Sequence, residues 1–151
     1  MTDVPMTQPL PSPATIPANR PFWREPALIF AALSGVAFVI LGLRAVAIPL
    51  TTSGGFGLPA LGGTDALWVQ VYGSRTMLLG VIAIALAAFG NIPALALMFG
   101  VGAALPFFDM ALIVGQSGPG PILFRHAAYV VWLGLGALWL WRLHRQRSRA
   151  A

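Results

Sequence analysis

"VYGSRTMLLGVIAIALAAFGNIPALALMFG", residues 71–100, contains two apolar segments separated by the short sequence GNIP. Gly90 and Asn91 are suited to the end of one helix, and Pro93 is suited to the first turn of the next. Because the turn between them is so short, the two helices should be antiparallel neighbours. This stretch therefore predicts a helical hairpin.

The whole chain has the composition of a membrane protein. Its 151 residues are 58% hydrophobic and 9% charged, with a mean hydropathy of +0.81, which is too apolar for an ordinary soluble domain. Four apolar segments each have about the 20 residues that a helix needs to cross ~30 Å of hydrocarbon. They are residues 27–48, 67–90, 93–114 and 122–142. The sequence predicts an all-α, integral membrane four-helix bundle.

The distribution of arginine predicts the orientation of the bundle. Arg20 and Arg24 precede the first apolar segment, the C-terminal arginines follow the last, and the loops at 49–66 and 115–121 contain none. Because cytoplasmic loops are enriched in basic residues, both termini should be cytoplasmic. All basic residues are arginine, which together with abundant Ala, Gly and Pro indicates GC-rich, bacterial DNA. We expect a multi-pass protein of the cell inner (cytoplasmic) membrane.

Two tails flank the predicted bundle. Residues 1–26 are rich in proline and polar residues, which predicts a disordered cytoplasmic tail. Residues 143–151 form a short basic cytoplasmic tail. The net charge of +5 is concentrated beside this end, so the expected partner is the anionic surface of the lipid bilayer rather than nucleic acid. A homo-oligomer and a larger membrane complex are further alternatives.

Several classes of chemistry are excluded or unsupported. The chain has no cysteine, which excludes thiolate nucleophiles and Cys-ligated metal or iron-sulfur sites. It also has no phosphate-binding loop, serine nucleophile motif or dinucleotide fingerprint. The two histidines lie at opposite ends of the last segment, so no metal site is expected. No cofactor is predicted, although a quinone or a lipid is compatible with the chain.

The ionisable residues inside the apolar segments gather at one depth. At ~1.5 Å of rise per residue, all of them fall in the outer half of the predicted bundle. A charged side chain there costs roughly 2.5–3.5 kcal/mol and commonly marks a functional site. The candidates for a ligand site or buried polar cluster are Arg44, Arg75, Asp109, Arg125 and His126, with Tyr129 one turn along the same face as His126.

Each candidate also has a structural interpretation. Asp109 is the only acid at that depth, and one carboxylate neutralises about one guanidinium. An interior salt bridge between Arg75 and Asp109 is therefore the main alternative to a ligand site. Arg44 and Arg125 lie close enough to the headgroups to extend into them. His126 could be a proton donor or acceptor, or simply hydrogen-bonded near the interface.

Small residues and proline predict how the helices pack. Gly73 and Gly80 form a small face that allows close helix approach, and Arg75 points away from it. Gly102 shares a face with Asp109, and Pro106 should kink the third helix just below that acid. The loop at 51–65 is glycine-rich, which favours a flexible connector over a lid.

The sequences LGLRAVAIP, GFGLP, YGSRTMLLG, PFFDM and RHAAY resemble the DUF4267 family of small membrane proteins over about residues 30–140. That family carries a G-x-R-(D)-x-x-x-G element on its second helix, an acid late in the third and a histidine beginning the fourth. The matching residues are Gly73, Arg75, Gly80, Asp109 and His126. Thr76 replaces the common aspartate, which implies a larger role for Asp109 as partner of Arg75. The four-helix layout is also similar to DoxX-like proteins, some of which accompany membrane redox systems.

These observations favour a binding or auxiliary protein with an outer-leaflet polar pocket for a lipid headgroup, a quinone or a small anion. One alternative is a structural membrane subunit in which a pair between Arg75 and Asp109 fixes helix packing. Another is a quinone-linked membrane redox enzyme, with His126 as acid or base and Arg75 polarising a carbonyl. No motif in the chain demands turnover, and the resemblance implies no reaction.

Overall fold

The computed structural model describes residues 22–150, and the side chains of residues 23–149. This part of the chain is helical and contains no strand. A 3₁₀ helix at Phe22–Arg24 precedes six α-helices. They are α1 (Pro26–Ala47), α2 (Pro49–Phe56), α3 (Thr64–Ala88), α4 (Ile92–Gly102), α5 (Leu105–Ser117) and α6 (Ile122–Ala150).

Four helical stretches in the described range are long and apolar enough to cross a membrane: α1, α3, α4 together with α5, and α6. The predicted helical membrane protein is thereby confirmed. The GNIP turn also has the predicted form, since Gly90 has φ 65° and the Asn91 side chain accepts a hydrogen bond from the amide of Ala94 at 3.3 Å. These two features stop α3 and start α4 within a few residues.

The four spans run alternately up and down, which gives the bundle two ends. We call the end that holds residue 22 and residue 150 the terminal end, and the opposite end, where α2 lies, the α2 end. At the terminal end Arg147 Nη2 lies 2.9 Å from Glu25 Oε1 and so joins the end of α6 to the start of α1. Arg145 lies over the ring of Trp141, 5.3 Å from its centroid.

Two glycine contacts hold α1 against α3 in the most extensive helix contact of the fold. A Cβ atom added at Gly80 would lie 2.5 Å from the carbonyl oxygen of Gly35, and one added at Gly42 would lie 2.5 Å from that of Gly73. Side chains cannot approach a backbone so closely, so these crossings require glycine. The helices therefore touch backbone to backbone, and α1 and α3 form one half of the bundle.

The second half consists of α4 and α5 packed against α6. The two halves meet at the terminal end, where buried apolar side chains form a continuous core. Its members are Ala27, Leu28, Ala31, Ala83, Ala87, Ile92, Leu95, Ala96, Phe99, Leu133 and Leu140. Almost all of them lie in the start of α1, the end of α3, α4 or the later part of α6. The core is thus concentrated away from the α2 end.

One hydrogen bond also connects the halves. Ser34 Oγ donates to the carbonyl of Phe30 at 2.8 Å and accepts from Trp132 Nε1 at 3.0 Å. Ser34→Ala should destabilise the fold by about 1–3 kcal/mol, because it leaves the indole N–H without its partner. Thermal unfolding in detergent measures this effect. Ser74→Ala is the matched control, since Ser74 Oγ donates only to Val71 in its own helix; equal melting temperatures for the two variants would contradict the prediction.

The predicted kink near Pro106 coincides with a two-residue break between α4 and α5, at Ala103 and Ala104, where the backbone stays in the right-handed helical region. Pro106 has no amide hydrogen and cannot bond to the carbonyl of Gly102. Around this proline, backbone hydrogen bonds join residues three apart instead of four apart. They run from Ala104 N to Val101 O at 3.0 Å and from Phe107 N to Ala104 O at 3.1 Å. The carbonyl of Gly102 is thereby released from the helical ladder, and α5 can begin in a new direction.

The ends of the predicted segments differ from the helices. Of the predicted tail at 1–26, residues 1–21 lie outside the described residues, whereas residues 22–26 lie in or beside helical structure. The predicted basic tail at 143–151 continues α6 as far as Ala150. Arg145 contacts Trp141 one turn earlier in the same helix, and Arg147 pairs with Glu25 at the start of α1, so these two contacts support the last turns of α6.

The segment 51–65 is not entirely the flexible connector that the sequence predicts, because its first residues belong to α2. Pro49 begins this helix, and Gly57, with φ 91°, ends it. Ser53 Oγ then accepts a hydrogen bond from the amide of Ala60 at 2.9 Å, which folds the following segment back onto the helix. The glycines at 54 and 55 conceal α2 in the sequence, since glycine disfavours helix formation by ~1 kcal/mol relative to alanine.

Candidate functional site

A cavity of about 400 Å³ lies between the two halves of the bundle and draws its walls from all six α-helices. Its polar side chains belong to α3, α5 and α6. They are Tyr72, Arg75, Thr76, Asp109, His126 and Tyr129. The volume falls within the ~300–1,000 Å³ range of small-molecule sites. We call this the central cavity.

Polarity changes along the central cavity. On α3, Leu79 follows Thr76 by one turn toward the terminal end, and on α6, Leu133 follows Tyr129 in the same way. The remaining wall toward the terminal end is apolar and includes Phe99 of the core. The cavity is therefore polar near the α2 end and apolar toward the middle of the bundle.

His126 is the most buried polar group of the site, with only 3% of its surface exposed. Its Nε2 lies 3.1 Å from the carbonyl oxygen of Phe56, at the end of α2. Its Nδ1 lies 3.6 Å from Asp109 Oδ2 and is buried without a hydrogen-bond partner among the described residues. The imidazole thus connects α2 to the polar end of the central cavity.

Arg75 makes no ion pair or hydrogen bond with any residue that the structure describes. The expected salt bridge between Arg75 and Asp109 is therefore absent from the described residues, and Asp109 faces His126 instead. Arg75 belongs to the half formed by α1 and α3, whereas Asp109 and His126 belong to the other half. Because the halves meet mainly at the terminal end, the central cavity separates the guanidinium from the carboxylate.

A second, smaller cavity of about 240 Å³ adjoins the first at the α2 end. The two cavities share Phe56, Tyr72, Asp109 and His126 in their walls. The rings of Phe56 and Tyr72 meet edge to face, with centroids 5.3 Å apart. These four shared residues lie at the junction of the two cavities.

The start of α6 holds α2 over the site. Arg125 donates a hydrogen bond through Nη1 to the carbonyl of Gly55. A Cβ atom added at Gly57 would lie 3.0 Å from Ile122 Cγ1, which shows how closely the end of α2 approaches α6. Arg125 therefore acts on α2 from outside the cavity.

The structure brings together four of the predicted site residues: Arg75, Asp109, His126 and Tyr129 all line the central cavity. Arg44 and Arg125 line neither cavity. Of the predicted packing residues, Gly73 and Gly80 contact α1, whereas Gly102 and Pro106 line the central cavity.

The cavity residues that sequence reasoning missed include Phe56, Tyr72 and Thr76. Tyr72 lies one turn before both Arg75 and Thr76 on α3, so the spacing on this helix carried a signal for Tyr72 and Thr76. No sequence signal pointed to Phe56, because its place in the cavity wall depends on how α2 packs against the bundle.

The cavity combines charged and hydrogen-bonding groups. It offers a permanent cation at Arg75, an acid at Asp109, and hydroxyl and imidazole groups, within an apolar surround. Among the described residues, no three His, Asp or Glu side chains are grouped so that they could hold a metal ion. The residues present can bind an organic ligand and orient its polar group.

The fold and the site define a multi-pass helical membrane protein with a cavity in its bundle whose wall is polar at the α2 end. Residues 35–140 match the model of a family described as a domain of unknown function, DUF4267, and the chain belongs to this family. No curated protein matches the chain, and no solved structure does. The similarity to DoxX-like proteins stays a prediction.

Proposed function

We propose that this protein binds an amphipathic molecule in the central cavity, with an anionic polar head beside Arg75 and an apolar part directed toward the middle of the bundle. The observation that carries this proposal is the change in polarity along the cavity. Its polar residues lie near the α2 end, and its apolar residues lie closer to the middle of the bundle. A membrane lipid has the same order of polarity.

The uncompensated charge of Arg75 selects among the ligands expected from the sequence. Arg75 is exposed, but a cation without a partner inside a membrane span is costly. A bound anion would therefore stabilise the site. A small free anion would satisfy Arg75 but would leave the apolar part of the cavity unused. A quinone would fill the apolar part, but it carries no charge. A lipid with an anionic group in its head satisfies both parts.

The orientation predicted from the arginine distribution assigns the proposed function to one side of the membrane. If both termini are cytoplasmic, the α2 end faces away from the cytoplasm, and the cavity draws its ligand from the outer leaflet of the inner membrane. The protein then acts as a binding or auxiliary component for that lipid. The separation of Arg75 from Asp109 weighs against the alternative in which their pair holds the helices together.

Native mass spectrometry tests the proposal on protein extracted in a mild detergent. Wild-type protein should carry one lipid-sized adduct. Arg75→Gln should reduce the bound fraction at least tenfold, because a hydrogen bond to a charged group contributes ~1.5–3 kcal/mol and ~1.4 kcal/mol is a factor of ten. After delipidation the variant and the wild type should have equal melting temperatures, since Arg75 has no partner among the described residues.

Arg44→Gln is the matched control, because Arg44 is an exposed arginine of α1 that lines neither cavity. It should retain the adduct at the wild-type level. Wild-type protein without any adduct would contradict the proposal. So would equal adducts in all three proteins, because the bound lipid would then lie outside the central cavity.

A further inference from the structure

The hydrogen bond between His126 and α2 fixes which nitrogen of the ring carries hydrogen. A carbonyl oxygen only accepts hydrogen bonds, so Nε2, 3.1 Å from the carbonyl of Phe56, must be the donor. In the neutral ring Nδ1 then has a free lone pair and is an acceptor. That atom is fully buried and has no hydrogen-bond partner among the described residues.

Asp109 adds a second acceptor beside the first. Its Oδ2 lies 3.6 Å from His126 Nδ1, which is beyond the ~2.7–3.2 Å of an N–H···O hydrogen bond. An ionised carboxylate has no hydrogen to donate. The two acceptors lie side by side, and 45% of the Asp109 side chain is exposed, whereas His126 Nδ1 has almost no exposed surface. A hydrogen-donating ligand group could therefore bond directly to Asp109.

The opposite wall of the cavity donates hydrogen bonds instead of accepting them. Arg75 is donor-only and carries a permanent positive charge, and it lies on the half of the bundle that faces Asp109 and His126 across the central cavity. A ligand head group that complements these two walls has an anion on the side of Arg75 and a hydrogen-donating cation on the side of Asp109. Phe56, Tyr72 and Tyr129 supply aromatic rings near the second position, and such rings attract cations.

From this arrangement we infer that the ligand of the central cavity is a zwitterionic lipid whose head group contains a phosphate and a primary ammonium, as in phosphatidylethanolamine. The phosphate pairs with Arg75, and the ammonium donates to Asp109 Oδ2. This inference rests on the proposed function and names the class of lipid. A glycerol head group has hydrogen donors but no charge to balance Asp109. A trimethylammonium head group has the charge but no N–H.

The three head groups just compared provide the test. Delipidated protein is incubated with equal amounts of phosphatidylethanolamine, phosphatidylcholine and phosphatidylglycerol that have matched acyl chains, and bound lipid is counted by native mass spectrometry. Wild-type protein should bind phosphatidylethanolamine at least tenfold more than either competitor. Asp109→Asn should lose this preference, because the amide no longer balances the ammonium charge and presents donors of its own.

Asp65→Asn is the matched control for the variant. Asp65 lies in the first turn of α3, accepts a hydrogen bond from the amide of Leu61 at 3.2 Å, and lines neither cavity. It should preserve the wild-type preference. Because the comparison among the three lipids is made on wild-type protein, it remains decisive even if Asp109→Asn folds poorly.

The outcomes separate this inference from the proposed function. Equal binding of phosphatidylethanolamine and phosphatidylcholine would overturn the inference, as would a preference for phosphatidylglycerol. If that binding still required Arg75, the proposed function would stand without the inference. Failure to bind any of the three lipids, together with no adduct on the protein as extracted, would overturn both.

Discussion

Replacing Gly80 with alanine should destabilise the bundle by about 1–3 kcal/mol or more, although it adds a single methyl group. The added Cβ would lie 2.5 Å from the carbonyl oxygen of Gly35 and 2.8 Å from the amide nitrogen of Val39. Both atoms belong to the backbone of α1 and cannot move as a flexible side chain would. The two helices must therefore separate. Thermal unfolding in detergent should show a clear fall in melting temperature.

Gly134→Ala is the control for this prediction. A Cβ atom added at Gly134 has no heavy atom within 4 Å in the described structure, apart from those of its own helix backbone and chain neighbours. Its helix should be unchanged or slightly stabilised, because alanine favours helix formation over glycine. Equal melting temperatures for Gly80→Ala and Gly134→Ala would show that α1 and α3 are not in backbone contact at Gly80.

Gly102→Phe should abolish binding of the ligand and leave the fold intact. Gly102 lines the central cavity, and a Cβ atom added there would meet only Leu133 Cδ1, at an ordinary contact distance of 3.7 Å. The backbone can therefore accept a side chain at this position. A phenylalanine ring would occupy part of the ~400 Å³ that the ligand needs. Native mass spectrometry should show loss of the lipid adduct.

Gly134→Phe places the same ring on α6 outside both cavities. It should keep the adduct at the wild-type level, with a melting temperature close to that of Gly102→Phe. Retention of the lipid in Gly102→Phe would place the ligand outside the central cavity. Loss of the lipid in both variants would attribute the effect to phenylalanine itself, and the prediction would fail.

The transmembrane helices were predictable because their signals are local. An apolar segment of about 20 residues matches the bilayer thickness wherever it occurs. The GNIP turn depends likewise on Gly90, Asn91 and Pro93 alone, and all of these act through their own backbone geometry or hydrogen bonds. The interruption at Pro106 was predictable for the same reason, although its extent was not. Only the shorter bonds around Ala104 show that α4 ends and α5 begins.

The depth of the candidate site residues in the membrane was predictable, but which of these residues contact each other was not. Rise per residue placed Arg75, Asp109 and His126 at one level, and they do line one cavity. Which of them meet depends on how the halves of the bundle separate, and that follows from tertiary packing. Glycine contacts hold α3, the helix that carries Arg75, against α1. In the other half, α5 packs against α6 and brings Asp109 close to His126. No spacing along the chain contains this information.

The role of α2 was hidden for a related reason. Its sequence, PLTTSGGF, combines proline, threonine, serine and glycine, which is also the composition of a loop. Its helix depends on contacts made far along the chain, since Arg125 and His126 both hydrogen-bond to carbonyls in its last residues. Tertiary contacts such as these override weak local propensity.

An experimental density map of the protein, purified from its native membrane without added lipid, tests the central claim most directly. We expect continuous density inside the central cavity, with its head between Arg75 and the pair formed by Asp109 and His126, and its tail toward Leu133. A closed cavity in which the Arg75 guanidinium contacts the Asp109 carboxylate would contradict the account. The charged residues would then serve to hold the two halves of the bundle together.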